Sequence, residues 1–254
     1  MVPTLKPMRS ESLEAWVRRA ANSLGIDITR YHPDRSEAGR LVSMLRTHSI
    51  DCVLDIGANR GQFATSIRRA GYKARILSVE PLSTAHQELL LSSKHDRLWQ
   101  VAPRTALGAA AGQTTIHVSG NSVSSSLLRM LARHSDAAPG SATVLVESVP
   151  MATLDQLLLP LVDENSRLFL KIDTQGSESS ILDGAAATLG RCQGIQLELS
   201  IVPLYENQVL FDELAERIRR LGFNVWAIWP AFFDPASGQM LQADATFFRD
   251  PPQR

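Results

Sequence analysis

Short apolar runs alternate with segments of helical periodicity along most of this chain. Five of these runs are too short for helices and are typical of buried strands. They lie at residues 52–56, 75–79, 98–102, 168–172 and 195–200. The segments between them repeat apolar residues every three or four positions, as amphipathic helices do. Two more apolar stretches, at 223–229 and 243–249, predict a closing strand pair. The pattern therefore predicts an α/β protein with a doubly wound, mostly parallel seven-stranded sheet and a reversed final strand.

Two helices are predicted before the first strand. The first, over residues 11–24, carries its apolar positions at Leu13, Trp16, Val17, Ala20 and Leu24. The second begins at Ser36, a good N-cap, and ends near His48. We interpret residues 1–47 as an N-terminal helical layer and residues 48–254 as the main domain. We expect the layer to pack on the edge of the sheet, although such additions also serve as lids over ligands.

The segment 109–150 departs from the strand and helix rhythm. Residues 114–119, T-T-I-H-V-S, alternate like an exposed strand, and residues 143–149 also resemble a strand. Between them lies a serine-rich loop, residues 120–128, with the sequence G-N-S-V-S-S-S-L-L. Such a loop offers many hydrogen bonds to a carboxylate or a sugar, but it is equally typical of a solvated linker.

The first strand runs into a glycine turn, residues 57–61, which a helix follows from Gln62. This unit is typical of nucleotide sites at the carboxyl ends of parallel strands. The dinucleotide pattern G-x-G-x-x-G is absent, because Asn59 and Gln62 occupy its second and third glycine positions. Asp55 would repel a phosphate and attract a cation, which favours S-adenosylmethionine as the ligand. The alternative is that Asp55 only caps the turn.

Two further segments are candidates for contacts to the rest of this cofactor. Glu80 ends the second strand, 25 residues after Asp55, where a carboxylate that accepts hydrogen bonds from two ribose hydroxyls is expected. Pro81 follows it directly. The small residues of A-L-G at 106–108 would let an adenine ring lie against the backbone, or they form a plain turn. We therefore include Pro81, Ala106 and Leu107 among the candidate cofactor residues.

Acidic residues in two later strands are candidates for the chemistry. Lys171 interrupts an apolar strand that ends at Asp173, which we expect to face the same crevice as the glycine turn. An acid there can contact the cofactor, hold a divalent ion or polarise an acceptor hydroxyl. Glu198 lies among apolar neighbours in the next strand, so it should be at a site or paired. We predict that Asp173, Glu198 and His134 handle the hydroxyl proton, with a divalent ion on the first two as a weaker alternative.

Composition restricts the class of partner. The chain has 254 residues, of which 44% are hydrophobic, and its 26 Lys and Arg residues balance 26 Asp and Glu residues. This balance argues against a nucleic-acid groove. Neither a secretion signal nor an apolar stretch of 18 residues is evident, so we expect a cytoplasmic protein without a transmembrane segment. Cys52 and Cys192 flank predicted strands and are interpreted as reduced core thiols.

Several segments together resemble the FkbM family of S-adenosylmethionine-dependent methyltransferases. In chain order they are V-L-D-I-G-A-N-R-G-Q-F, V-E-P, A-L-G, S-S-S-L, T-L-D-Q-L, K-I-D-T-Q-G-S-E-S-S-I-L-D-G-A, L-E-L-S-I-V-P-L-Y-E-N-Q and D-A-T-F-F-R. The resemblance covers about residues 48–250 and implies a class I, Rossmann-like methyltransferase that acts on hydroxyl groups, often of sugars in glycolipids, polysaccharides or macrolides. It departs from many relatives at Arg60, which would point outward or contact the acceptor.

The resemblance also implies roles for individual residues. Those expected to hold the cofactor are Asp55, Gly57, Asn59, Gly61 and Glu80, and we add Phe63 at the start of the following helix. Asp173 would border the acceptor and touch the cofactor. The expected reaction is in-line methyl transfer to an oxygen of a small-molecule or glycan acceptor, in which alignment contributes more than a general base. A non-catalytic S-adenosylmethionine-binding module and a nicotinamide-dependent oxidoreductase remain the alternatives.

Overall fold

The computed structural model of this chain describes residues 12–26, 28 and 36–250. The helices are α1 (Leu13–Ser23), α2 (Glu37–Thr47), α3 (Gln62–Arg69), α4 (Ser83–Ser93), α5 (Ala132–Ala137), α6 (Leu154–Leu157), α7 (Glu178–Asp183), α8 (Ala186–Arg191) and α9 (Phe211–Arg220). The strands are β1 (Cys52–Ile56), β2 (Arg75–Val79), β3 (Trp99–Val101), β4 (Ala106–Leu107), β5 (Gly112–Ser119), β6 (Thr143–Ala152), β7 (Leu168–Ile172), β8 (Cys192–Ser200), β9 (Asn224–Phe233) and β10 (Met240–Phe248).

The main sheet has seven strands in the order β3-β2-β1-β7-β8-β10-β9. The first five are mutually parallel, and β10 is antiparallel to both β8 and β9. This confirms the predicted doubly wound, mostly parallel sheet with a reversed final strand. The strand order reverses between β1 and β7, which is where open α/β sheets bind ligands.

The two faces of this sheet differ in polarity. One face is apolar throughout and packs on α7, α8 and α9 through residues such as Leu170 and Leu197. The other face is apolar only near the amino ends of the strands, where Val53, Ile76 and Phe169 pack on α2 and α3. Further along the strands a polar row crosses this second face, and the strand register aligns its members Ser78, Asp55, Lys171, Gln196 and Thr246. All five are buried, so the row must find its partners inside the protein.

The N-terminal helices differ in how they pack. Both predicted helices are present, within the described residues. Ser36 is the N-cap of α2, and its Oγ accepts a hydrogen bond from the Gly39 N–H at 3.0 Å. The helix buries Leu41, Val42 and Leu45 against the sheet. α1 buries only Ala21. Residues 1–11 and most of the connection between the helices lie outside the described residues, and a separate layer over 1–47 stays a prediction.

A smaller sheet, in the order β4-β6-β5, extends from the main one. The strands predicted from residues 114–119 and 143–149 form its antiparallel pair, and Ala106 and Leu107 form β4 rather than a plain turn. The two cysteines, Cys52 and Cys192, are both buried and free, as expected.

One helix prediction is wrong. The apolar residues Ile181, Leu182, Ala185 and Leu189 stand at helical spacing, which predicts a single helix after β7, but the structure has two short helices that meet at Gly184 and Ala185. The chain turns there because the Gly184 backbone packs directly on another strand end. A Cβ atom at Gly184 would lie 2.2 Å from the Gly108 carbonyl oxygen.

Candidate functional site

A cavity of about 340 Å³ opens at the carboxyl ends of β1, β2 and β7, beside the point where the strand order reverses. Its size is within the range of small-molecule sites. Of the sequence-predicted residues, those that line it are Gly57, Asn59, Phe63, Glu80, Pro81, Ala106, Leu107 and Asp173. The lining does not include Asp55, Gly61, Glu198 or His134.

The glycine turn has its shape because other protein atoms approach it closely. Gly57 has φ +74°, and a Cβ atom there would lie 1.9 Å from the Asp173 carbonyl oxygen. Gly61 has φ +90°, and a Cβ atom there would lie 2.6 Å from the Trp99 ring. Both values are in the left-handed region that favours glycine. Protein packing alone therefore requires these two glycines, and only Gly57 also borders the cavity.

Glu80 connects the end of β2 to the glycine turn. Its Oε2 accepts from the Asn59 N–H at 2.7 Å, and its Oε1 accepts from the Leu82 N–H at 2.8 Å. Burial raises the pKa of Glu80 to about 7, although these two hydrogen bonds act in the opposite direction. Each carboxylate oxygen has a second lone pair, so Glu80 can still accept hydrogen bonds from ligand hydroxyls.

Lys171 lies between two acidic residues at the base of the cavity. Its Nζ is 3.6 Å from Asp55 Oδ1 and 3.3 Å from Asp173 Oδ2. Asp55 is completely buried below the cavity and accepts a hydrogen bond from Ser78 Oγ at 3.0 Å. Burial disfavours the charge on Lys171, but the carboxylates of Asp173 and Asp55 more than offset this and raise its pKa. Asp55 does not line the cavity and is connected to it through Lys171.

Gln175 joins Asp173 to Glu198. Its Nε2 donates to Asp173 Oδ1 at 3.1 Å and to Glu198 Oε2 at 2.5 Å, while its Oε1 lies 3.0 Å from the Tyr205 hydroxyl. Glu198 also accepts from Gln242 Nε2 at 2.7 Å. Burial, followed by the nearby carboxylates, raises the pKa of Glu198 well above its usual value. Glu198 is thus paired beside the cavity and fixes the orientation of the Asp173 side chain through Gln175.

The structure does not bring His134 to the cavity. It is 2% exposed, its Nδ1 lies 3.0 Å from Ser141 Oγ, and its ring packs against Tyr205 and Phe232. Burial lowers the pKa of this imidazole, which favours the neutral form. These contacts are those of a packed core histidine.

The serine-rich loop covers one side of the cavity, where Ser122, Val123, Ser125 and Leu127 line it. Asn59 Nδ2 donates to Ser122 Oγ at 3.3 Å, which connects this loop to the glycine turn. The sequence left two interpretations of this loop open, and its position beside the cavity favours ligand contact over a solvated linker. Arg60 points away from the cavity, with its Nε 3.2 Å from Glu88 Oε2.

In addition to Asp173, the cavity is lined by polar residues that the sequence analysis did not identify. Gln196 on β8 and Asp244 on β10 are polar positions among apolar neighbours, on the same sheet face as Lys171 and Asp173. Glu37 of α2 lines the cavity from above. The signal available in the sequence was the alternation of polar residues at 196 and 198 and at 244 and 246, which marks a face that is polar yet buried.

Neither a metal cluster nor a membrane-spanning helix is found in the described part of the chain. Among residues 12–26, 28 and 36–250, no group of three or more His, Cys, Asp or Glu side chains is arranged to hold a metal ion. None of the helices described is long and apolar enough to cross a membrane.

Comparisons with known proteins give one strong match. The family model described as "Methyltransferase FkbM domain" matches residues 55–225. No curated protein sequence matches the chain significantly.

Among solved structures, the chain is similar to a TehB-like SAM-dependent methyltransferase from Corynebacterium glutamicum, at 12% identity over 93% of this chain and 96% of that chain, with a TM-score of 0.40. It is also similar to precorrin-6y C5,15-methyltransferase from Geobacter metallireducens, at 12% identity over 84% and 87% of the two chains, with a TM-score of 0.42. These structural similarities are distant, and the family match covers most of the elements that form the cavity.

Proposed function

The chain belongs to the FkbM family of S-adenosylmethionine-dependent methyltransferases, and from this premise we propose that it methylates a hydroxyl oxygen of a sugar-like acceptor. The observation that supports this proposal is the division of the cavity into two ends of different chemistry. The Glu80 end is largely apolar, whereas the other end presents carboxylate and amide groups on β7, β8 and β10. A polyhydroxylated acceptor suits the second end, because carboxylates and amides bind hydroxyl groups.

The Glu80 end fits the adenosyl part of the cofactor. Leu107 and Ile116 offer an apolar surface to a purine, and the Glu80 carboxylate is positioned for the ribose hydroxyls. Phe63, Pro81 and Ala106 complete the wall beside them. The amino-acid part of the cofactor would lie over Gly57 and Asn59 of the glycine turn, toward Asp173. Asp55 and Gly61 contribute indirectly, through Lys171 and through the packing of the turn on Trp99.

When it is bound, S-adenosylmethionine supplies an electrophilic methyl group. The protein's main task is then to hold the acceptor oxygen in line with that group, and orientation of this kind contributes roughly 7 to 11 kcal/mol. In this proposal Asp173 accepts the hydrogen bond of the acceptor hydroxyl. Lys171 and Gln175 hold its two oxygens at 3.3 and 3.1 Å, so the carboxylate has a fixed direction. Loss of the proton to Asp173 would add about two to four powers of ten in rate.

Titration with S-adenosylhomocysteine by isothermal calorimetry tests the cofactor half of this proposal. We expect measurable binding by the wild type and a loss of about ten- to a hundredfold in Glu80→Ala, as for the loss of a charged hydrogen-bond partner. Glu88→Gln is the matched control, because Glu88 lies outside the cavity in an ion pair with Arg60. No binding by folded wild-type protein would contradict the proposal, and unchanged affinity in Glu80→Ala would remove Glu80 from the site.

A further inference from the structure

The end of the cavity beneath α2 presents hydrogen-bond acceptors that lack donors. Gln196 is only 5% exposed, lines the cavity, and its Oε1 has no hydrogen-bond partner among the described residues. Two carboxylates line the same cavity, Asp244 from β10 and Glu37 from the first turn of α2. Both acids face the same cavity, and the charge of Glu37 contributes to raising the pKa of Asp244. We call Glu37, Gln196 and Asp244 the acidic end.

Negative charge around this end exceeds the positive charge available to balance it. Among the described residues that line the cavity, the acids are Glu37, Glu80, Asp173 and Asp244, and the only cationic side chain is Lys171. Lys171 is already shared between Asp173 and the buried Asp55. S-adenosylmethionine carries one net positive charge, which leaves most of these carboxylates uncompensated. Asp173 and Asp244 are partly buried, and burial raises the pKa of Asp244, so a ligand that brings a further cation would stabilise the ionised form of this carboxylate.

We propose that the acidic end binds a protonated amino group, so that the acceptor is an amino sugar or another amine that also carries the hydroxyl to be methylated. This inference rests on the methyl transfer proposed above and specifies its substrate class. An ammonium group has three donors and no acceptor, which matches the Gln196 oxygen and the two carboxylates. A neutral hydroxyl brings one donor and leaves the charge of the carboxylates unbalanced.

The positions of the acids also place the amine relative to the reacting oxygen. Asp244 lies opposite Glu198 in the register of β10 and β8, and Gln175 hydrogen-bonds to both Glu198 and Asp173, so Asp244 and Asp173 line the same part of the cavity. The amino group at Asp244 and the hydroxyl at Asp173 therefore belong to one sugar ring or to adjacent units. Glu37 closes this end from the N-terminal helices, which gives α2 a role in acceptor choice in addition to its packing on the sheet.

Matched pairs of amine and neutral probes test the proposal. Isothermal titration of D-glucosamine against N-acetyl-D-glucosamine, and of 2-aminoethanol against ethylene glycol, is performed on wild-type protein saturated with S-adenosylhomocysteine. In at least one pair we expect the amine to bind about tenfold more tightly or better. Asp244→Asn, which keeps the shape but removes the charge, should abolish that preference, and Glu37→Gln should reduce it. Glu88→Gln should leave it unchanged.

Three outcomes would overturn the proposal. One is equal or undetectable binding of amine and neutral probes in both pairs. The second is an unchanged preference in both Asp244→Asn and Glu37→Gln, whose folding is checked by their melting temperatures. The third is a loss of S-adenosylhomocysteine affinity in Asp244→Asn as large as the loss for amines, which would assign the acidic end to the cofactor. Failure of the methyltransferase proposal itself is distinguishable, because the wild type would then not bind S-adenosylhomocysteine.

Discussion

The ammonium group of Lys171 lies 3.6 Å from Oδ1 of the fully buried Asp55, on adjacent parallel strands and in direct register. Apart from this ion pair, Asp55 Oδ1 has no hydrogen-bond partner within the described residues. The charge of Asp55 is thus compensated by a side chain two residues before the proposed acceptor-binding Asp173. The sheet therefore connects the glycine turn to the side of the cavity where we propose that the acceptor binds, through one buried cation.

Replacement of Lys171 tests this coupling. Lys171→Met would leave a buried, uncompensated carboxylate at Asp55, and we expect a loss of about 3 to 5 kcal/mol in the free energy of unfolding. Adding Asp55→Asn should restore part of that loss, because the unpaired charge is then gone. Urea denaturation of the two single variants and the double variant measures the interaction. Strictly additive losses would contradict a coupled pair.

The pattern of residues allowed the fold to be predicted because each buried strand of a doubly wound sheet is short, apolar and flanked by a helix. Glu80 and Asp173 could be located for the same reason, since each directly follows such a strand. The two helices of the region 178–191 could not, because the turn at Gly184 depends on the backbone of Gly108, far away in sequence.

The side chains that contact the predicted site residues could not be predicted from the sequence either. Asp55 alone indicates an anionic surface for a cationic ligand, but the register of β1 and β7 places Lys171 beside it. His134 was a candidate for handling the hydroxyl proton, whereas the contacts that bury it come from residues 141, 205 and 232. Such pairings depend on register and on long-range packing, which composition and periodicity do not encode.

Asp244→Asn should change how stability depends on pH. Burial, with a contribution from Asp173, raises the pKa of Asp244 to about 7 from its usual value of 3.8. A raised acid pKa contributes stability below the unfolded-state value, and this contribution is lost as the pH rises toward 7. The variant lacks this titration, so its free energy of unfolding should increase relative to wild type between pH 4 and pH 7. Each unit of pKa difference corresponds to about 1.4 kcal/mol.

Urea denaturation at pH 5 and pH 8 measures this effect, and Asp234→Asn is the control that should show no such trend. Asp234 is on an exposed turn, where the hydrogen bond from Ser237 Oγ lowers its pKa. Its contribution is present above the usual pKa of 3.8 and is lost only in stronger acid, so the stability of this variant relative to wild type should not change between pH 5 and pH 8. The same trend in both variants would exclude burial of Asp244 as the cause.

Gly57→Ala should destabilise the protein and weaken cofactor binding. The new methyl group would meet the Asp173 carbonyl oxygen at 1.9 Å, at a φ of +74° that alanine rarely adopts. Because the obstacle is backbone, we expect a loss of about 3 kcal/mol or more. Gly190→Ala is the matched control, since a Cβ atom there meets nothing within 4 Å and the residue lies in α8. The urea midpoints of the two variants measure the loss of stability, and titration of Gly57→Ala with S-adenosylhomocysteine measures the loss of binding. Equal midpoints would contradict the close contact between residue 57 and the Asp173 carbonyl oxygen.

Asp173→Asn should separate proton handling from cofactor binding. The amide retains the size of the side chain but cannot take up the acceptor proton, so we expect the turnover number to fall by about a hundredfold or more. Affinity for S-adenosylhomocysteine should change much less. His134→Phe is the matched control, because His134 lies outside the cavity, and its turnover number should stay within about twofold of wild type.

A chelator distinguishes the two ways in which Asp173 could act. The described residues contain no cluster suited to a metal ion, and Lys171 Nζ already lies 3.3 Å from Asp173 Oδ2, where a bound cation would compete with it. We therefore expect that adding EDTA to the wild type leaves the turnover number unchanged, which would favour direct polarisation of the hydroxyl by Asp173. Loss of activity in EDTA, restored by Mg²⁺ or Mn²⁺, would instead assign Asp173 to a metal site. Wild-type turnover by Asp173→Asn, or a large loss in His134→Phe without loss of stability, would show that the proton leaves by another route.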